Sequence, residues 1–412
     1  MMTKNSEQSF SLVKQYTPNG SQTLSKMPER YVNGVYPKLL ERGKNGHVFD
    51  VEGCEYIDLI SGLGAISVGY SNDDIDNAVY LQMRKGTIFS LPNELEGKAA
   101  KLLTELVPGT EMWKFGKNGT DGNLFAVRAA RAYTGRNKIL TVGYNGCADV
   151  FECRGTRTAG IPKSLKQDTH KAYYNNINSF HELNYGDVAC VLMEPMVYDF
   201  PSKDFLGDVK LLCKKTGTLL VFDEVVNGGR WKDFVSSRYF EVQPDLYVLG
   251  KGLANGLPLC AVGGSRSIMS TFERDDFFAS NTFGGECLSL AAFIKTQEIL
   301  TRSIKKMIWN GDRIKEAFNK LDWPEHCEAK GYSTRLSFFF SSLSHKALFW
   351  QEMCLHGVLV GYSNFIMATH TDEDVTQVID AIYKSYKVVK DNWKDPMKAM
   401  KGQLPVEALK KS

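Results

Sequence analysis

Long hydrophobic runs, paired cysteines and one-sided charge are all missing from this chain. No stretch approaches the run of about 20 apolar residues that crosses a bilayer, and Met1-Met2-Thr3-Lys4-Asn5-Ser6-Glu7-Gln8 lacks the apolar core of a signal peptide. The nine cysteines fall at irregular spacing without a Cys-x-x-Cys pair, and the seven histidines make no pair at metal-ligand spacing. Neither a disulfide framework nor a metal site is therefore expected. Free thiols imply a reducing compartment, so the expectation is a soluble, cytoplasmic protein. A formal charge of +3 argues against a nucleic-acid protein driven by phosphate neutralisation, which carries a stronger basic stripe. The clearest basic segment, Lys384 to Lys411, reads as a solvated helix face. No G-x-G-x-x-G follows a strand, which disfavours a nicotinamide dehydrogenase.

What is present is a chain of 412 residues, 43% hydrophobic, long enough for one large domain and a smaller one. Residues 47 to 58 read as a hairpin, with Val48 to Val51 and Glu55 to Asp58 flanking a Glu52-Gly53 turn. From Gly119 onward the pattern alternates: helix 119–134, strand 138–143, strand 188–193, helix 205–215, strand 218–223 and strand 245–249, with Gly135 and Gly217 as helix stops. This alternation predicts an α/β protein whose mostly parallel sheet is covered by helices on both faces. The expected division is an N-terminal segment and part of a small domain over 1–70, a large domain over 71–300, and a C-terminal small α+β domain over 301–412. Ser337 to Phe340 is an expected strand there, and Asp372 to Val389 an expected helix.

In such sheets ligands gather at the carboxyl ends of strands, so residues just after apolar runs carry the most information. Asp223 ends Leu219-Leu220-Val221-Phe222-Asp223, and Lys251 follows the run that closes at Leu249-Gly250. Alone, such a lysine reads as a solvated loop residue and such an aspartate as a cap or ion-pair partner. Together they suggest an enzyme that uses pyridoxal 5′-phosphate (PLP). The lysine would carry the cofactor aldehyde as a Schiff base, and the aspartate would pair with the protonated pyridine nitrogen.

Several blocks extend the pattern: Glu41-Arg42-Gly43-Lys44 with Phe49 to Asp58, Phe115-Gly116-Lys117-Asn118-Gly119-Thr120-Asp121-Gly122, Ala129 to Arg136, the Asp223 and Lys251 blocks, and Asn281-Thr282-Phe283-Gly284-Gly285. In this order, from Arg42 to about Val378, the chain resembles the class III aminotransferases, and among them the branch of glutamate-1-semialdehyde 2,1-aminomutase. The resemblance implies the PLP-dependent transferase fold of type I. It also implies a homodimer in which Thr282 reaches the neighbouring subunit's cofactor phosphate, although by itself Thr282 reads as a turn hydroxyl.

The resemblance further implies that Gly119 and Thr120 hold the phosphate at a helix N-terminus, where local sequence alone reads as a capped helix. Tyr144 would stack on the pyridine ring, and the next residue, usually His in the family, is Asn145. Val225 would pack on the opposite ring face, and Glu194 would lie near the substrate side, with a surface strand end as its plain reading. Lys251 would also move the proton between substrate Cα and the cofactor, burial favouring its free amine.

The substrate shell departs from the mutase pattern. Asn19 to Lys26 replaces the usual Ser-Pro-Val-Arg opening, Leu63 stands for a tryptophan, and Ile366 for an acidic residue. Amino transfer between two separate molecules is therefore the expected activity, with the intramolecular aminomutase as the alternative. Lys26 and Arg335 are candidate substrate anchors, Arg335 being equally readable as a structural ion pair.

Overall fold

Val188–Met193, Leu219–Glu224, Leu246–Leu249 and Cys260–Gly264 are buried at every position, the signature of strands covered on both faces. The structure, a computed structural model, describes residues 4–406; Met1 to Thr3 and the end of the basic tail, Lys411 included, lie outside the described residues. In chain order the strands are β1 (Leu40–Lys44), β2 (His47–Asp50), β3 (Glu55–Asp58), β4 (Met112–Gly116), β5 (Lys138–Val142), β6 (Thr169–Lys171), β7 (Val188–Met193), β8 (Leu219–Glu224), β9 (Leu246–Leu249), β10 (Cys260–Gly264), β11 (Cys327–Tyr332), β12 (Arg335–Phe340), β13 (Val358–Leu359) and β14 (Asn364–Phe365). The chain divides into two compact units, residues 73–301 and residues 1–72 with 302–412.

The 73–301 unit is built on a seven-stranded sheet of order β4-β10-β9-β8-β7-β5-β6. Pairings from β9 through β8, β7 and β5 to β6 are parallel, whereas β10 is antiparallel to both β9 and β4. The antiparallel β10 was not foreseen, because the glycines of Cys-Ala-Val-Gly-Gly interrupt the apolar run. Since two antiparallel steps restore direction, β4 runs with the parallel strands and its carboxyl end reaches the same edge. The helix Gly119–Thr134 lays Phe125, Ala126, Val127 and Ala130 on a core with Ile139, Leu192, Val221, Val248 and Val262. It stops at Gly135, in the left-handed region at φ 68°, where a side chain would be strained.

The other unit contains a four-stranded sheet, β1-β2-β3-β13, and a three-stranded one, β11-β12-β14. Its hairpin β2–β3 pairs His47 with Ile57 and Phe49 with Glu55. Phe318, Trp323, Phe338, Phe340 and Phe349 interlock there, with ring centroids 4.9 to 6.3 Å apart. The helix Asp372–Asp391 begins at a capping box in which Thr371 and Asp374 exchange hydrogen bonds.

Candidate active site

Five segments leave the sheet at the carboxyl edge: Lys117 to Thr120 after β4, Gly143 to Asn145 after β5, Glu194 after β7, Asp223 to Val225 at the end of β8, and Gly250 with Lys251 after β9. The β8–β9 register sets Asp223 opposite Val248, and Lys251 follows three residues later, past the end of β9, as the first residue of a short 3-10 turn. The Lys251 backbone has φ of 45°, a conformation that β-carbon sterics disfavour and that persists where surrounding structure enforces it.

Asp223 is only 6% exposed. Its Oδ2 accepts hydrogen bonds from Asn123 Nδ2 at 2.7 Å and Asn145 Nδ2 at 3.2 Å, and its Oδ1 from the Val225 N–H at 3.2 Å. Burial first, and then the charge of Glu194, push its pKa up to about 6, while these three donors pull the other way. Among the described residues every recorded hydrogen-bond partner is a neutral amide. A buried carboxylate held only by neutral donors keeps a large desolvation cost that a cation would relieve.

The helix start at Gly119 has a specific set of free donors. Asn118 accepts from Asp121 N at 3.1 Å, the Asp121 carboxylate accepts from Lys117 N at 2.9 Å, and Gly122 N donates to Asn118 O at 3.2 Å. Among the described residues the Gly119 and Thr120 N–H groups have no recorded acceptor, and they sit at the positive end of the helix dipole. The Thr120 hydroxyl accepts from Cys147 N at 3.2 Å. A Cβ on Gly119 would come 2.8 Å from Val225 Cγ1, and one on Gly250 would come 3.2 Å from the same atom. Val225 therefore fills the space between the helix start and the residue before Lys251. It is the first residue of the turn after β8 rather than a strand residue, so its position comes from these contacts and not from strand alternation.

Tyr144, beyond β5, is 62% exposed, whereas Asn145 is buried beside Asp223. Thr282 lines an open cleft of about 710 Å³ with Ile88, Phe89, Leu91 and Phe115; it forms no hydrogen bond to the Asp223 group among the described residues. Lys26 and Arg335 belong to the other unit, Lys26 exposed and Arg335 buried as the first residue of β12. Asn123 was not singled out from sequence, although a polar residue on the buried face of an amphipathic helix was the available signal. Cys147, whose Sγ lies 3.7 Å from Thr120 Oγ1, was likewise missed.

These residues fit PLP chemically. Asp223 suits a protonated ring nitrogen, the Gly119 and Thr120 donors suit a phosphate, and Lys251 supplies an amine. Among the described residues no group of three or more His, Cys, Asp or Glu side chains is placed to hold a metal.

The family model described as aminotransferase class-III matches residues 31–323. The chain is 32% identical over 404 residues to 3-aminobutyryl-CoA aminotransferase of Cloacimonas acidaminovorans, covering 92% of this chain and 96% of the relative. It is also 32% identical over 392 residues to glutamate-1-semialdehyde 2,1-aminomutase of Bacillus subtilis, covering 85% and 90%. Among solved structures, the FumI protein of Sphingopyxis sp. MTA144 in its PLP internal aldimine form superimposes with a TM-score of 0.89 at 23% identity, over 98% of this chain and 99% of that one.

Proposed function

Because the chain belongs to the class-III aminotransferase family, whose members include PLP-dependent enzymes with this α/β fold, we propose that it moves an amino group from an amine or amino-acid donor to a separate carbonyl acceptor. The observation that carries the reading is Asp223, a buried carboxylate whose hydrogen-bond partners among the described residues are amides, on the strand next to the one that leads to Lys251. PLP, when bound, supplies an electron sink that acidifies the substrate Cα–H. Asp223 would hold the protonated ring nitrogen, with Asn123 and Asn145 orienting its carboxylate. Gly119 and Thr120 would donate to the phosphate, Tyr144 and Val225 would flank the ring, and Glu194 would face the substrate side. Lys251 Nζ would anchor the cofactor until a substrate amine displaces it, and then hold and move the proton at the substrate Cα. Lys26 and Arg335 remain candidate anchors for a substrate carboxylate or other polar group.

We assign the 73–301 unit to the cofactor and read the enzyme as a homodimer in which Thr282 completes the neighbouring site. Exposed Ile88, Phe89 and Leu91, which line the same cleft as Thr282, support that reading, since exposed apolar surface grouped at one cleft is characteristic of an interface. A cytoplasmic location is supported by nine free cysteines; among the described residues no helix is long and apolar enough to cross a membrane.

The aminomutase reading keeps support from the Bacillus subtilis relative, but Leu63, Ile366 and the Lys26 region depart from that pattern. Steady-state kinetics with donor and acceptor panels decide between the two. Intermolecular transfer gives parallel double-reciprocal lines and an isolable aminated enzyme, because the keto product leaves before the acceptor binds. Conversion of glutamate-1-semialdehyde to 5-aminolevulinate without any external donor, with every donor–acceptor pair inactive, refutes it.

A further inference from the structure

The turn that carries Thr282 is fastened at both ends to the segment that begins the Gly119 helix. On one side Asn281 Nδ2 donates to Asp121 Oδ2 at 3.3 Å, and Asp121 is the residue that accepts from Lys117 N. On the other, Lys117 Nζ lies 2.9 Å from Glu286 Oε1 and 3.3 Å from Ser289 Oγ. The two charged side chains are 16% and 15% exposed, so the pair is shielded from the screening that makes open surface ion pairs weak. Glu286 is itself held: its Oε2 accepts from Leu288 N at 2.7 Å and its Oε1 from Ser289 N at 3.0 Å, at the start of the helix Cys287–Asn319. Ser289 Oγ also donates to Pro258 O at 3.0 Å. Within the turn, Asn281 Oδ1 accepts from Phe283 N at 3.0 Å and Asn281 O from Gly284 N at 3.0 Å.

We propose that Lys117 and Glu286 are positioning residues whose ion pair, with the Asn281–Asp121 hydrogen bond, ties the turn that carries Thr282 toward the neighbouring site to the Gly119–Thr120 helix start of the chain's own site, and thereby controls cofactor retention in both. The inference rests on the proposed phosphate role of Gly119, Thr120 and Thr282. It separates two uses of a lysine beside a phosphate. A lysine that meets the phosphate directly would gain from losing its protein carboxylate partner. A lysine that clasps two loops acts only while that carboxylate is present.

The test uses the full chain stripped of PLP and titrated with PLP well below the unfolding temperature, where a change in global stability leaves the folded fraction, and hence the Kd, unmoved. Lys117→Met and Glu286→Gln should each weaken PLP binding by about fivefold to tenfold, Lys117→Arg should restore it to within about threefold, as a charge at that site allows, and Asn281→Ala should shift it in the same direction as Lys117→Met. Reduction with borohydride followed by peptide mass mapping reports independently whether PLP is linked to Lys251. Tighter PLP binding in Glu286→Gln would mean that Lys117 serves the phosphate directly, which overturns the clasp. So would parent-like Kd values in both Lys117→Met and Asn281→Ala. A parent protein that forms no reducible adduct overturns the cofactor reading itself, a result distinct from either.

Discussion

Replacing Asp223 by asparagine should make the cofactor-free protein more stable at neutral pH while ruining its affinity for PLP. The folded chain keeps the Asp223 proton up to about pH 6, whereas an unperturbed aspartate releases it near 3.8. Between those values the folded state binds more protons than the unfolded state, so stability falls as pH rises through that window. Above it the charged carboxylate costs the fold about 3 kcal/mol, and about half of that at pH 5. Asparagine keeps one oxygen for Asn123 and Asn145 but turns an amide toward the Val225 N–H, losing that hydrogen bond at about 1 kcal/mol. The net expectation for Asp223→Asn without cofactor is a gain of about 2 kcal/mol at pH 8, dropping below about 1 kcal/mol at pH 5. With PLP the sign reverses, because removing one member of a buried charge pair weakens binding by about a hundredfold or more. Urea unfolding of the stripped protein at both pH values, alongside PLP titration, measures each quantity. A variant destabilised equally at pH 5 and pH 8, or one that binds PLP like the parent, would refute the reasoning.

Gly119→Ala would push a methyl to 2.8 Å from Val225 Cγ1; PLP titration should show weaker binding, and Val225→Ala in the same chain should recover part of it by making room. In the other unit, His47 Nε2 lies 2.9 Å from Asp374 Oδ1 and Nδ1 lies 3.0 Å from Glu55 Oε1, and the Asp374 hydrogen bond raises the imidazole pKa above its ordinary 6.5. That stabilisation is fully present below pH 6.5 and is lost as pH rises through the folded pKa, so the melting-temperature deficit of His47→Gln should be greatest in acid and shrink in alkali.

The parts of the fold that were legible in the sequence are those where one physical demand dominates. Val188–Met193 and Leu219–Glu224 are apolar nearly throughout because both sheet faces are covered, and the charged residues that end such runs, Asp223 and Lys251, stand out against them. The strand β10 was hidden because two glycines occupy it, Gly263 lying where a Cβ would run into the Trp113 ring; a close approach between neighbours on adjacent strands leaves no local pattern. Asn123 was hidden for a related reason, since its purpose lies in Asp223, 100 positions away. With Asn145, where the family usually has histidine, it completes a shell of neutral donors. An imidazole at that position would bring a second titration next to the carboxylate. The amide brings none, so the charge state of Asp223 is set by burial, by Glu194, by its three amide donors and by whatever cation enters the site, and the pH dependence of Asp223→Asn reads that balance without an imidazole titrating beside it.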